Sequence, residues 1–161
     1  MAINKIKSSI FDAGAQIIAH QVNCQGVMGS GVAKQIRDRY PKVYSSYKHF
    51  CDLYKDNRNS LLGKCQIVVD DYDDFDLWPR HCVANLFGQY NFGRDGKRYT
   101  DYAALMCALS ALAEYADNYK LTVAMPYKMG CDRGGGDWDN VVYPAIVSHL
   151  QNIDVLICEL P

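Results

Sequence analysis

The chain has 161 residues, a net charge of −1, 49% hydrophobic and 22% charged residues. A chain of that length buries about 70% of its unfolded surface as one domain, so its core needs neither disulfide nor metal. The near-zero charge gives no overall field toward nucleic acid or anionic lipid, so stable nucleic-acid binding is not expected and an anionic ligand needs a local device.

In chain order, residues 3–6 suit a short first strand, and 16–22 (QIIAHQV) a strand that turns polar at its end. The glycine-rich stretch 26–33 follows. Residues 32–39 have helical spacing, with Val32 and Ile36 on one face, until Tyr40 and Pro41 stop them. A second helix is predicted over 43–54, then strands over 64–69 and 81–87. The acidic run Asp70, Asp71, Asp73, Asp74 and Asp76 between those strands reads as a solvated turn. Thr100 is placed to cap a helix over 102–119, whose residues Leu105, Ala108, Leu109, Leu112, Tyr115 and Ala116 share one side. A buried-type strand over 121–125 leads into a second glycine-rich loop. The last helix, over 139–151, contains Pro144, which either kinks it or marks its true start. Residues 154–159 close the chain as a strand. Alternating strands and helices predict an α/β domain with a parallel or mixed sheet covered on both faces. No repeat or linker divides it, so residues 1–161 are expected to form a single domain.

The seven cysteines are scattered and form no C-x-x-C pair. They read as reduced thiols, with no zinc site. Residues 1–16 lack a long apolar core, and no apolar run approaches the roughly 20 residues of a membrane span. A cytoplasmic protein without membrane contact is expected.

Both glycine loops follow a strand and precede a helix, which puts them at the ligand-binding end of an α/β sheet. Glycine lets backbone N–H groups turn toward an anion, and a helix N-terminus adds partial positive charge. Two such loops can clamp a diphosphate without net basic charge. No lysine closes either loop as in a P-loop, and no G-x-G-x-x-G opens the first helix. His20, at the end of its strand beside the first loop, is a candidate general acid or ligand contact, and a buried structural role is the plainer alternative. Asn23 suits either ribose hydroxyls or the turn itself. Asp132 and Asp137 are candidates to orient a water; Asp137 is equally a helix cap. Arg94, Lys97 and Arg98 form a basic stretch that either is solvated or gates a terminal phosphate. Cys24 lies near the loop with no base to activate it. His49, His81 and His149 read as structural.

At these loops the sequence resembles the macrodomain family. IIAHQVNCQGVMGSGVAKQI is similar to the family's first strand–loop–helix unit and MPYKMGCDRGGGDW to its second phosphate loop. NLFGQY and GRDGKRYTDYAAL resemble a bacterial and phage subgroup, and YPKVYSSYKHFC with SLLGKC resembles small ADP-ribose-1″-phosphate phosphatases. The resemblance implies a three-layer α/β/α macrodomain with a central mixed sheet flanked by helices. It implies a monomer that takes ADP-ribose or ADP-ribose-1″-phosphate with no cofactor and no metal, in the cytoplasm, or the host cytoplasm if phage-encoded. It places Ser9 and Ile10 beside the adenine, with Ser9 where relatives carry an acid. His20 and Asn23 fall near the distal ribose. Gly29, Ser30, Gly31, Val32 and Ala33 fall along the first diphosphate loop, and Met129, Gly130, Cys131, Asp132, Arg133, Gly134 and Gly135 along the second. The implied reaction is hydrolysis of ADP-ribose-1″-phosphate to ADP-ribose and phosphate, with His20 and Asp132 or Asp137 catalytic. A non-catalytic ADP-ribose reader and an ADP-ribosyl hydrolase acting on macromolecules are the alternatives. One de-ADP-ribosylating branch uses a covalent Lys and Asp pair, whose positions correspond here to Gln89 and Gly134.

Overall fold

The computed structural model describes residues 2–69 and 82–161. The acidic run and His81 lie outside the described residues. Six strands, β1 (Ile3–Lys7), β2 (Ile17–Asn23), β3 (Cys65–Val69), β4 (Cys82–Gln89), β5 (Val123–Pro126) and β6 (Val155–Glu159), pair in the order β1-β6-β5-β2-β4-β3. Five run parallel; β3, at the edge, is antiparallel to β4. The inner strands read as near-continuous apolar runs because both their faces are covered.

Four helices, α1 (Gly31–Arg39), α2 (Pro41–Leu53), α3 (Tyr102–Tyr119) and α4 (Tyr143–His149), make the outer layers. On one face Ile17 and Ala19 pack against Leu105, Leu109 and Leu112 of α3 and Ile146 of α4. On the other, Ile18 meets Ile36 of α1 and Val43 of α2. The expected α/β/α layering is therefore present. Two helix starts differ from expectation. The cap of α3 is Asp101, whose carboxylate accepts from Ala104 N at 3.0 Å, while Thr100 is buried and its hydroxyl turns inward. A carboxylate there also meets the positive end of the helix dipole. The last helix begins as one π-helical turn, Trp138–Val142, capped by Asp137. Pro144 then sits in the first turn of α4, directly after the π-helical turn.

The sheet opens between β2 and β5. These strands pair only at Ile17↔Val123 and Ile18↔Ala124. Beyond that point β2 stays on β4 as far as Asn23, and β5 stays on β6 as far as Pro126. The helices that follow, α1 and α4, lie on opposite faces, so the gap is a topological switch point of the kind that holds ligands in α/β sheets.

One polar row crosses the sheet beside the gap. His20, Asn85 and Gln66 are register partners on β2, β4 and β3. His20 Nε2 lies 2.6 Å from Asn85 Oδ1, Asn85 Nδ2 donates to Gln66 Oε1 at 3.0 Å, and Gln66 Nε2 donates to Ser46 O of α2 at 3.2 Å. His20 is 1% exposed. Burial lowers its pKa from 6.5 to about 4, with the Asn85 hydrogen bond opposing. Below pH 6.5 the unfolded chain takes up a proton that the folded chain refuses until about pH 4. Stability from this group is complete above that window and falls as pH drops through it, by at most ~1.4 kcal/mol per pH unit. Denaturant unfolding across this range is expected to show a slope about one proton shallower in His20→Gln than in the parent; equal slopes would refute the linkage.

Candidate functional site

The gap between β2 and β5 deepens into a cavity of about 410 Å³. Its walls are the ends of both strands, the two glycine loops and residues 89–94. On the first wall, α1 starts at Gly31, with φ +59°, and Ser30 makes no side-chain cap bond. No acid lies in the first turn. The N–H groups of Gly31, Val32 and Ala33 have no partner among the described residues. On the second wall, Lys128 (φ +61°) and Gly130 (φ +74°) adopt left-handed backbone. That conformation is uncommon for a lysine and is found at constrained sites. Met129 N and Cys131 N close turns, but the N–H groups of Gly130, Asp132, Arg133 and Gly134 have no partner among the described residues. Two arrays of free donors thus line one cavity. Among its lining side chains Arg94, Lys128 and Arg133 outnumber the single carboxylate, Asp132, so the cavity is locally cationic in a chain of net charge −1.

Thr100 holds the second wall to β2. Its hydroxyl donates to Gly130 O at 2.7 Å and accepts from Gln21 Nε2 at 2.8 Å. Tyr99 N and Thr100 N both donate to Gly134 O, at 2.8 and 2.9 Å. Gln21 Nε2 also donates to Gln89 Oε1 at 2.7 Å, and Gln89 Nε2 to Asn91 O at 2.8 Å. Sequence reasoning singled out neither Gln21 nor Thr100 for the site. The available signal was a glutamine interrupting an otherwise apolar strand.

Of the residues expected here, His20, Asn23, Gly29, Ser30, Gly31, Val32, Ala33, Met129, Gly130, Asp132, Arg133 and Gly134 line the cavity. Their roles differ from expectation in places. His20 is neutral at pH 7, so it offers an acceptor rather than an acidic proton. Asn23 builds the loop: its Oδ1 accepts from Gln25 N and Tyr47 Oη, both at 2.9 Å, and its Nδ2 donates to Val27 O at 2.8 Å. One amide hydrogen is left for a ligand.

Ser9, Ile10, Cys131, Gly135 and Asp137 do not line the cavity. Ser9 Oγ accepts from Phe11 N at 3.0 Å, closing its own turn, and Ile10 packs in the core with Ile18 and Ile36. Burial pushes the Cys131 thiol up to about 11. Gly135 is pressed against the chain at Lys97 and Arg98. Asp137 is a cap: it accepts from Asn140 N at 3.1 Å and Asn140 Nδ2 at 3.0 Å, bonds that hold its carboxyl below the usual range. Of the basic stretch, Arg94 alone lines the cavity; Lys97 pairs with Asp95 and Arg98 lies over the Tyr102 ring. Phe92, 47% exposed, joins Arg94 at the rim. Burial drives the Cys24 thiol up to about 12, so it is no nucleophile at neutral pH.

The positions matched to the Lys and Asp pair hold no such chemistry. Gln89 has its amide committed to Gln21 and Asn91. A Cβ on Gly134 would stand 2.5 Å from Gly130 O and 2.6 Å from Thr100 Oγ1, so the backbone leaves no room for a side chain there.

No family model matches the chain. Among curated proteins it is similar to the ADP-ribose 1″-phosphate phosphatase of Saccharomyces cerevisiae, 43% identical over 49% of this chain and 42% of that one. It is similar to the protein of the same name from Scheffersomyces stipitis, 31% identical over 68% of this chain and 70% of that one. The chain spans about half the length of several of these fungal relatives. Among solved structures, the macrodomain of Mycobacterium tuberculosis DarG superposes with a TM-score of 0.80 over 99% of both chains, at 24% identity. Among the described residues no helix is long and apolar enough to cross a membrane. The sheet order, the paired glycine loops at its open seam and these relatives agree: the chain belongs to the macrodomain family, of the Appr-1″-p processing type.

Proposed function

We propose that the chain binds ADP-ribose and hydrolyses ADP-ribose-1″-phosphate to ADP-ribose and phosphate. The observation that carries this reading is the pair of N–H arrays, at residues 31–33 and at Gly130, Asp132, Arg133 and Gly134, that have no partner among the described residues and line one cationic cavity. Such donors bind a diphosphate without desolvating a lysine for each charge. The volume is within the ~300–1,000 Å³ of small-molecule sites. The fungal relatives' name supplies the reaction.

In this reading the diphosphate lies between the loops and the terminal phosphate beyond it. A water oxygen bonds to phosphorus as the bond from phosphorus to the 1″ oxygen breaks, and the proton the water gives up ends on the departing 1″ oxygen. Arg94, Lys128 and Arg133 balance the charge, which phosphoryl transfer needs more than a strong base. His20 accepts a hydrogen bond from the reacting water, with Asp132 at the same wall. Asp137, as a cap, has no part in it. The committed amide of Gln89 and the closed position at Gly134 argue against covalent removal of ADP-ribose from a macromolecule. A reader that binds without turnover is the second reading, favoured by the deep burial of His20.

Three outcomes test this. Phosphate release from ADP-ribose-1″-phosphate is expected for the parent, and His20→Ala should lower it by about 100- to 10,000-fold, the usual worth of acid–base help. Tight ADP-ribose binding by calorimetry with no phosphate release would select the reader. A Cβ on Gly31 meets no protein atom within 4 Å, so its side chain would enter open space at the loop, while the φ of +59° strains any L residue there. Gly31→Glu should therefore abolish ADP-ribose binding while the melting transition stays cooperative, and retained affinity would exclude a diphosphate at α1. Thr100→Val removes the tie between the second loop and β2. It should raise the Kd for ADP-ribose about tenfold, ~1.4 kcal/mol, and cost about 0.5–1.5 kcal/mol of stability for each hydrogen bond lost, since Gly130 O keeps its bond from Gly136 N and Gln21 Nε2 its bond to Gln89. Unaltered calorimetry would make Thr100 incidental.

A further inference from the structure

We infer that Asn85 and Gln66 are positioning residues that hold the His20 ring in one tautomer, with the hydrogen on Nε2 and the Nδ1 lone pair left for an O–H donor in the cavity. This rests on the reading of the site as one for ADP-ribose-1″-phosphate.

The orientation of every group follows from one end of the row. A backbone carbonyl only accepts, so the Gln66 atom facing Ser46 O is Nε2. Gln66 Oε1 then faces Asn85, and because it too only accepts, Asn85 presents Nδ2 to it. Asn85 Oδ1 is left facing His20, so His20 Nε2 carries the hydrogen. A neutral imidazole has one N–H, so Nδ1 is bare. Nδ1 is buried and has no partner among the described residues, and His20 belongs to the cavity wall. A buried acceptor needs a donor. Diphosphate oxygens only accept, so in the proposed complex the ligand-side donors to consider are a ribose O–H and the attacking water.

The groups around His20 do not compete for this role. Burial and the Asn85 bond are the two influences on its protonation, and no charged group adds a third. Asn85 and Gln66 on β4 and β3 are uncharged. From the helices on this face, α1 brings Ile36, and α2 brings Val43 and Tyr47. The Tyr47 phenol is buried, bonded to Asn23 and held protonated far above the ordinary tyrosine range.

Imidazole ¹⁵N NMR on the ligand-free protein at pH 7 tests the tautomer. The parent should show a protonated Nε2 and an unprotonated Nδ1; a protonated Nδ1 overturns the inference. Gln66→Met should leave Asn85 free to turn over and give mixed tautomers, with kcat for phosphate release down about 10- to 100-fold, as for lost orienting partners elsewhere, and KM within a few-fold. Asn85→Asp keeps the acceptor and adds a charge. It should retain the Nε2–H tautomer and move the acid limb of the pH–rate profile upward by about 1–3 units. An unmoved limb, or a Gln66→Met protein with the parent's tautomer and kcat, overturns the inference. Adding ADP-ribose and then ADP-ribose-1″-phosphate separates the donors. A change in the Nδ1 signal with both assigns a ribose hydroxyl, and a change with the phosphate ester alone assigns the water. No response to either means that nothing donates to Nδ1, which overturns the inference. If the parent releases no phosphate, the phosphatase reading falls, and the NMR result still decides whether the row sets the tautomer.

Discussion

The site depends on two parallel strands that part early. β2 and β5 share two register pairs and then diverge, each remaining on its outer neighbour. A sheet cannot stop pairing in its middle without leaving backbone groups to be satisfied some other way. Here the chain bends into loops whose own turns bond some groups and aim the rest at a common space. The helices that follow go to opposite faces, so neither fills the gap. Topology thus brings peptide N–H groups to one cavity, beside the side chains of Arg94, Lys128 and Arg133.

Such loops have to be held from outside, because every donor used within them is lost to the ligand. Thr100 supplies the restraint by engaging Gly130 O while Tyr99 and Thr100 N–H groups engage Gly134 O. Only carbonyls of the second loop are tied down this way. On the first wall, Asn23 and Tyr47 do comparable work below the loop and leave the start of α1 open. Both walls are stiffened by bonds that leave the start of α1 and the N–H groups of Gly130, Asp132, Arg133 and Gly134 without a partner among the described residues.

What was legible in the sequence was local. The glycine loops stand between an apolar run and a helical period, and the long period of α3 gave its limits at Tyr102 and Tyr119. What was not legible depended on tertiary partners. Thr100 and Asp101 are both good caps by residue type, and Thr100 is drawn away from that role by Gly130, thirty residues away in sequence. Asp137 looked like a possible base because its acceptor role toward Asn140 belongs to a π-helical turn that periodicity does not reveal. Ile10 carried the adenine assignment by alignment, while its burial with Ile18 and Ile36 follows from how the turn after β1 folds back. The row from His20 to Gln66 requires the register of three strands, one of them antiparallel, and no spacing in the chain encodes that.

The crowding around Gln21 and Thr100 also bears on which sequences lie within reach of this one. A Cβ on Gly88 would stand 2.5 Å from Gln21 Oε1, one on Gly130 2.8 Å from the same atom, and one on Gly134 2.5 Å from Gly130 O. An aspartate at 134 is therefore not one neutral step away: Thr100 would first have to shrink and the loop to shift, and each of those changes by itself releases the diphosphate wall. This packing confines the chain to chemistry that needs no side chain at position 134.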